Sequence, residues 1–226
     1  MNISHLIFFI CVISMIHFIR PYYNFDCNVY LLTGSSNILI DTGTGLNRSY
    51  LIQSIRDIIG SDGVLDKVLL THCHFDHIGG GQSLIEEFGC EVFASSMDAE
   101  AVRTGDDTYT LSSDFDLNVP PYPVSDLDED SIIDIGEHSL RVMSTPGHTR
   151  GGLCFYDTIS SSLFSGDTIF SNGVGRTDFN GGSIISLKNS IKYLSDMAVL
   201  DLYPGHGNPT SDWPSAIRIA KQIVGD

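Results

Sequence analysis

The sequence predicts an α/β fold, a layered sandwich of strands and helices. Two observations carry this expectation. Short apolar runs bounded by turn residues recur from end to end, and between them apolar residues fall at helical spacing. The same strand-and-helix order is repeated in two halves, with no linker rich in flexible residues between them. A length of 226 residues, 42% of them hydrophobic and 22 of them glycine, suits one turn-rich domain. No fixed period marks a solenoid.

From residue 6 to residue 19 the chain is apolar except for Ser14 and His17. That run is shorter than the ~20 residues a spanning helix needs. It also lacks the basic segment and small-residue cleavage site of a secretory signal. Residues 1–14 are read either as a buried strand or hairpin, or as an extension before a true start at Met15. A membrane anchor is the outlying alternative. A single domain is expected over 15–226, opening with a strand near 15–20.

Residues 29–32 and 37–40 flank Gly34-Ser35-Ser36 in a hairpin pattern that ends at Asp41, a carboxylate at a strand terminus. Leu51, Ile52, Ile55, Ile58 and Ile59 place a helix over 49–59, stopped by Gly60. A buried strand over 67–71, a helix near 81–88 closed by Gly89, and a strand over 91–94 follow. Segment 104–130 differs, with eight acidic residues, no Lys or Arg, and a Pro120-Pro121-Tyr122-Pro123 run. It reads as a long loop, either a lid over a pocket or a solvated connector. Strands resume at 131–135, 140–144, 153–156 and 162–165, and helices near 183–195 and 212–223 flank a strand ending at Pro204.

Acidic residues outnumber basic ones 28 to 12, a formal net charge of −16. Such a surface repels phosphate backbones, so nucleic acid is not an expected partner. The charge reads as simple solubility or as the mark of an acidic cytoplasm. Cys11, Cys27, Cys73, Cys90 and Cys154 are odd in number and form no CxxC pair. They read as reduced thiols of a cytoplasmic protein.

The chemistry is concentrated at His72-Cys73-His74-Phe75-Asp76-His77, which packs four strong metal ligands into six positions. The preceding strand delivers them to one edge of the protein, and Gly79-Gly80-Gly81 frees the backbone to wrap around them. Three imidazoles and a carboxylate this close would repel protons and one another without a cation, so the cluster implies a bound metal. Three further pieces share one format, a ligand beside glycine at a strand end. They are Thr145-Pro146-Gly147-His148-Thr149, Ser165-Gly166-Asp167-Thr168 and Tyr203-Pro204-Gly205-His206-Gly207. Each is weak alone; with the first cluster they supply five of the eight histidines and two aspartates.

In these motifs the chain resembles the metallo-β-lactamase-fold superfamily of metallohydrolases, whose order is HxHxDH, then a distant His, an Asp and a His. The resemblance runs from about residue 15 to the end and implies a four-layer αββα sandwich. It implies that His72, His74 and His148 bind one divalent ion, that Asp76, His77 and His206 bind a second, and that Asp167 bridges them. Nitrogen and oxygen donors suit zinc, with iron and manganese as the other fitting ions. Strand alternation turns Cys73 away from the metals, and Asp41 orients the ligand loops from behind. Two cations would lower the pKa of a shared water to near neutrality and stabilise an oxyanion, with Asp76 hydrogen-bonding that water.

Gly166-Asp167-Thr168-Ile169-Phe170 and Gly173-Val174-Gly175-Arg176-Thr177-Asp178-Phe179 look like the glyoxalase II-related group. There the basic residue at the Arg176 position contacts glutathione, so Arg176 is the candidate anion-binding residue; its alternative is a pairing with a nearby carboxylate. Two features depart from true glyoxalase II: its C-terminal helical domain has no counterpart here, and Asp178 stands where an aromatic residue would help bind glutathione. The expected function is a binuclear hydrolase of a small thioester, such as S-lactoylglutathione or another glutathione conjugate, or of a related acyl ester. An iron-dependent persulfide dioxygenase shares the Thr71-His72-Cys73-His74 string and is the alternative enzyme. A non-catalytic metal-binding protein, with closed coordination, is the alternative from another class.

Overall fold

Strands that are apolar on both faces need cover on both sides, and this chain supplies it with helices outside and a second sheet inside. The structure, a computed structural model, describes residues 15–225. The extension expected at 1–14 lies outside the described residues. Strands β1 (Met15–Ile19), β2 (Val29–Thr33) and β3 (Ile38–Ile40) are followed by α1 (Arg48–Ile59) and β4 (Lys67–Leu69). Then come α2 (Phe75–Ile78), α3 (Gly81–Phe88), β5 (Glu91–Ala94), α4 (Ser96–Thr104) and β6 (Ser125–Asp126). The second half runs β7 (Ile132–Asp134), β8 (Ser139–Ser144), β9 (Leu153–Asp157) and β10 (Ser162–Gly166). A small hairpin of β11 (Ile169–Phe170) and β12 (Gly173–Val174) precedes α5 (Ile184–Ser195), β13 (Asp201–Pro204) and α6 (Trp213–Val224).

The first sheet has the order β1-β2-β3-β4-β5-β6, antiparallel through β3 and parallel from there on. The second has the order β13-β10-β9-β8-β7, with β13 and β10 parallel and the rest antiparallel. Alternation along each strand sorts side chains into three buried layers. On β2, Tyr30 and Leu32 face the other sheet, joined by Ile38, Ile40, Phe155 and Phe164. Val29 and Leu31 face outward onto Leu51 and Ile55 of α1 and Leu84 of α3. Met143, Cys154 and Leu163 of the second sheet pack on Leu187 and Ile191 of α5 and Trp213 of α6. This is the four-layer αββα arrangement. Each fully buried Leu, Ile or Phe in it contributes roughly 1.5–3 kcal/mol of transfer free energy.

The elements depart from the sequence expectation in several places, among them the following. The β4 strand ends at Leu69; the Leu70 N–H still donates to the Phe93 carbonyl at 2.8 Å, and the Thr71 N–H then turns to Asp41 Oδ1 at 2.8 Å. Helix α4 was not foreseen. Ser95 caps it by accepting the Asp98 N–H, and Gly105 ends it at φ 65°. Segment 104–130 is no solvated connector. Tyr109, Thr110, Leu111 and Tyr122 are buried in it. The Thr110 carbonyl accepts the Phe75 N–H at 2.8 Å, and the Tyr122 hydroxyl donates to the Ile78 carbonyl at 2.7 Å. No helix among the described residues is long and apolar enough to cross a membrane.

Candidate metal centre

Each candidate site residue stands just past a strand end: Asp41, the orienting carboxylate, after β3, and the ligand candidates His72 to His77 after β4, His148 after β8, Asp167 after β10 and His206 after β13. Asn28 and Tyr30 of the first sheet tie down the last of these loops. The Asn28 N–H donates to the Gly205 carbonyl at 2.7 Å, its amide to the Pro204 and Gly207 carbonyls, and the Tyr30 hydroxyl to the Pro204 carbonyl at 2.8 Å. The sheets are thereby fastened beside His206.

Two groups of donor atoms converge. In the first, His74 Nδ1 lies 3.1 Å from His72 Nε2 and 2.8 Å from His148 Nε2, and all three rings are buried. Burial, and after it the neighbouring imidazole of His148, push His74 down to about 3. Burial and then His77 hold His72 well below the ordinary histidine range, so both rings are neutral donors at pH 7. In the second group, Asp76 Oδ2 lies 3.0 Å from His206 Nε2 and 3.7 Å from His77 Nε2. Asp167 stands between the groups. Its Oδ1 is 3.4 Å from His77 Nε2, and its Oδ2 is 3.4 Å from His148 Nε2 and 3.7 Å from His206 Nε2. Burial alone would raise the Asp167 pKa, but His77 and His206 hold it far below the usual carboxylate range.

The fit to metal ions rests on unmet bonding capacity. Asp167 Oδ1 is buried with no hydrogen-bond partner. A buried carboxylate oxygen left that way costs free energy that a cation would recover. The facing imidazole nitrogens of the first group likewise bring lone pairs together and need a positive centre between them. All seven residues expected as ligands are assembled here, in four overlapping clusters that also include Cys27 with Asp41 and His77. Burial pushes the Cys27 thiol up to about 12.

Partners behind the rings fix which nitrogen faces the centre. His77 Nδ1 lies 2.8 Å from Asp41 Oδ2, His72 Nδ1 3.1 Å from Thr71 Oγ1, and His148 Nδ1 2.6 Å from the Arg176 carbonyl. Asp41 also accepts the Thr71 hydroxyl at 2.8 Å. It does so from the left-handed region, at φ 61°, a conformation Asp tolerates better than most residues. The closeness of the loops explains Gly205: a Cβ there would overlap Asp167 Oδ1 and His77.

Cys73 is turned away from the centre, as strand alternation implies. Its N–H donates to Asp98 Oδ2 at 3.0 Å, and its thiol lies on the Tyr109 carbonyl. Asp98 is a residue beside the donors that sequence reading missed. Fully buried, it also accepts the Thr149 hydroxyl at 2.9 Å, the Gly151 N–H at 3.1 Å and the Tyr109 hydroxyl at 3.3 Å. One carboxylate thus joins the loop of His72 and His74 to the loop of His148. The only local signal was the Ser95-to-Asp98 spacing of a helix cap, which says nothing of the role.

Above the donor atoms lies a cleft of about 330 Å³, into which His74, Asp76, His148, Asp167 and His206 open. Arg176 lines it, as expected of an anion-binding candidate, but its guanidinium forks onto Asp178 at 3.0 and 2.7 Å and stacks over the Phe179 ring. Leu111 and Phe115 of the acidic segment form part of the wall.

Residues 22–206 match the family model of the Metallo-beta-lactamase superfamily. The chain is 35% identical over 195 residues to the probable metallo-hydrolase MJ0888 of Methanocaldococcus jannaschii, covering 82% of this chain and 89% of that protein. It is 31% identical over 206 residues to the acyl-coenzyme A thioesterase MBLAC2 of Gallus gallus, covering 80% of this chain and 72% of that one. Among solved structures, the B3 metallo-beta-lactamase BLEG-1 is similar with a TM-score of 0.78 and 26% identity, covering 92% of this chain and 97% of that one. TTHA1623, solved in a di-iron-bound form, gives 0.72 and 28%, covering 91% and 96%.

Proposed function

Because the chain belongs to the metallo-beta-lactamase superfamily, we propose that it is a binuclear metal-dependent hydrolase of thioesters. The observation that carries the reading is the shared position of Asp167, with one carboxylate oxygen toward each donor group and one of them otherwise unsatisfied. In this reading His72, His74 and His148 hold one divalent ion, and Asp76, His77 and His206 hold the other. When bound, such ions supply Lewis acidity toward a carbonyl and acidify water to near neutrality. Zinc suits the nitrogen and oxygen donors, as do iron and manganese.

The chain's own residues do the rest. Asp41, Thr71 and the Arg176 carbonyl hold His77, His72 and His148 in the tautomer that presents Nε2 to the centre. Asp76, at the cleft side of its group, accepts a proton from the attacking water and orients it. The apolar walls lower the polarity around the reacting carbonyl, which strengthens polar contacts there. Arg176, at the rim, takes an anionic group on the thiol side of the substrate, glutathione being one candidate carrier. The thioester class is supported by similarity to a relative named for acyl-coenzyme A thioesterase activity.

The test is metal analysis paired with turnover. The purified protein is expected to carry close to two metals per chain, to lose metal in His72→Ala and Asp167→Ala, and to hydrolyse acyl thioesters without oxygen. Metal-free protein, or turnover that consumes oxygen with a persulfide substrate, would remove the hydrolase reading.

A further inference from the structure

Apart from the donor residues and Arg176, the side chains that line the cleft are apolar. Phe25, Phe75, Leu111 and Phe115 come from the first half of the chain, and Phe170 and Phe179 from the second. The Phe75 and Phe115 rings pack with centroids 4.6 Å apart, and the Phe179 ring meets the His74 ring edge-on at 5.9 Å. The apolar wall therefore reaches down to the donor atoms. At the mouth, Phe25 is 49% and Phe115 52% exposed, large rings left in water beside a cleft. Clustered exposed apolar surface of this kind marks a ligand groove.

Charge recognition is weak by comparison. Arg176 is the cationic side chain lining the cleft, and Asp178 already engages it through both oxygens. The chain as a whole carries a formal charge of −16, which opposes anionic ligands at long range. Binding free energy must then come chiefly from apolar contact.

Resting on the thioester reading above, we infer that the substrate carries an apolar acyl group, seated against Phe25, Phe75, Leu111 and Phe115, rather than a hydroxylated one such as lactoyl. Those four side chains hold no polar atom, so a hydroxyl on the acyl group finds no side-chain partner there. The thiol portion lies toward Arg176, whose charge Asp178 shares. Hydrolysis breaks the C–S bond, adds water oxygen to the acyl carbon and returns the proton to the departing thiol, releasing a fatty acid.

The experiment uses the metal-loaded full chain and one carrier, glutathione, bearing acetyl, lactoyl, butyryl, hexanoyl or octanoyl groups. Each buried methylene is expected to raise kcat/KM by about fourfold until the wall is filled. Octanoyl should exceed lactoyl by at least tenfold. Phe115→Ser should cut the octanoyl-to-acetyl ratio by about threefold or more. Equal kcat/KM across the series, or a preference for lactoyl, overturns the inference. If no thioester turns over, the hydrolase reading fails, and binding of the non-cleavable thioethers S-octylglutathione and S-methylglutathione still decides this one. Tighter binding of the octyl compound by about tenfold supports it, and equal binding refutes it.

Discussion

Replacing Asp98 with alanine removes a buried carboxylate that accepts four hydrogen bonds from three separate stretches of chain. The hydroxyls of Thr149 and Tyr109 can rotate to other acceptors, but the N–H groups of Cys73 and Gly151 cannot. Both residues are buried, so the substitution strands two backbone donors. Each unsatisfied donor costs about 1–3 kcal/mol, and the lost charge-assisted bonds add to it, so a net loss of about 3–5 kcal/mol is expected. For a chain of this size that is a fall in Tm of about 10 °C. Asp98→Asn keeps one carbonyl oxygen in place and should lose about half as much. Because the stranded groups sit beside His72, His74 and His148, metal affinity should also fall, by about 10- to 100-fold in chelator competition under conditions where the variant is folded. Urea unfolding of apo protein separates the two effects. An Asp98→Ala protein with stability within about 0.5 kcal/mol of the parent, a change typical of plain surface sites, and unaltered metal retention would refute the argument.

Two further outcomes follow from other buried carboxylates. Asp41→Asn places a donor where His77 Nδ1 and the Thr71 hydroxyl both need an acceptor, so metal affinity should drop by about tenfold or more while the fold persists; equal affinity in chelator competition would show that Asp41 does not orient His77. Asp157, which is not among the candidate metal ligands, contributes to acid stability. Burial alone would raise its pKa, but hydrogen bonds from His138, Ser160 and the Ser139 and Ile159 N–H groups hold it at about 2. A folded pKa depressed below the unfolded value of ~3.9 contributes stability above pH ~4 that is lost as pH falls toward 2, about 2 kcal/mol in all. Asp157→Asn should flatten the unfolding free energy between pH 4 and 2, and an unchanged slope there would count against the assignment.

The amino-acid order of this chain already contained the candidate ligand set. Four donors in six positions, and three later donors beside glycine at strand ends, are local patterns that need no knowledge of contacts. The layers were legible for a similar reason. Strand residues such as Tyr30 and Leu31 are apolar on both faces, which demands cover on both sides. What the chain order could not reveal was anything joining distant segments. Asp98 is one of 28 acidic residues until folding brings it to partners 25, 51 and 53 positions away. Phe25, Phe115 and Phe179 are unrelated aromatics until three loops set them around one cleft. In sequence Arg176 reads as an anion-binding candidate or as the partner of a nearby carboxylate; in the fold its guanidinium is engaged by Asp178 and its carbonyl lies against His148. Donor chemistry and periodicity are properties of neighbours along the chain and survive without the fold. Orientation, burial and cleft polarity arise from neighbours in space, and only the tertiary structure decides them.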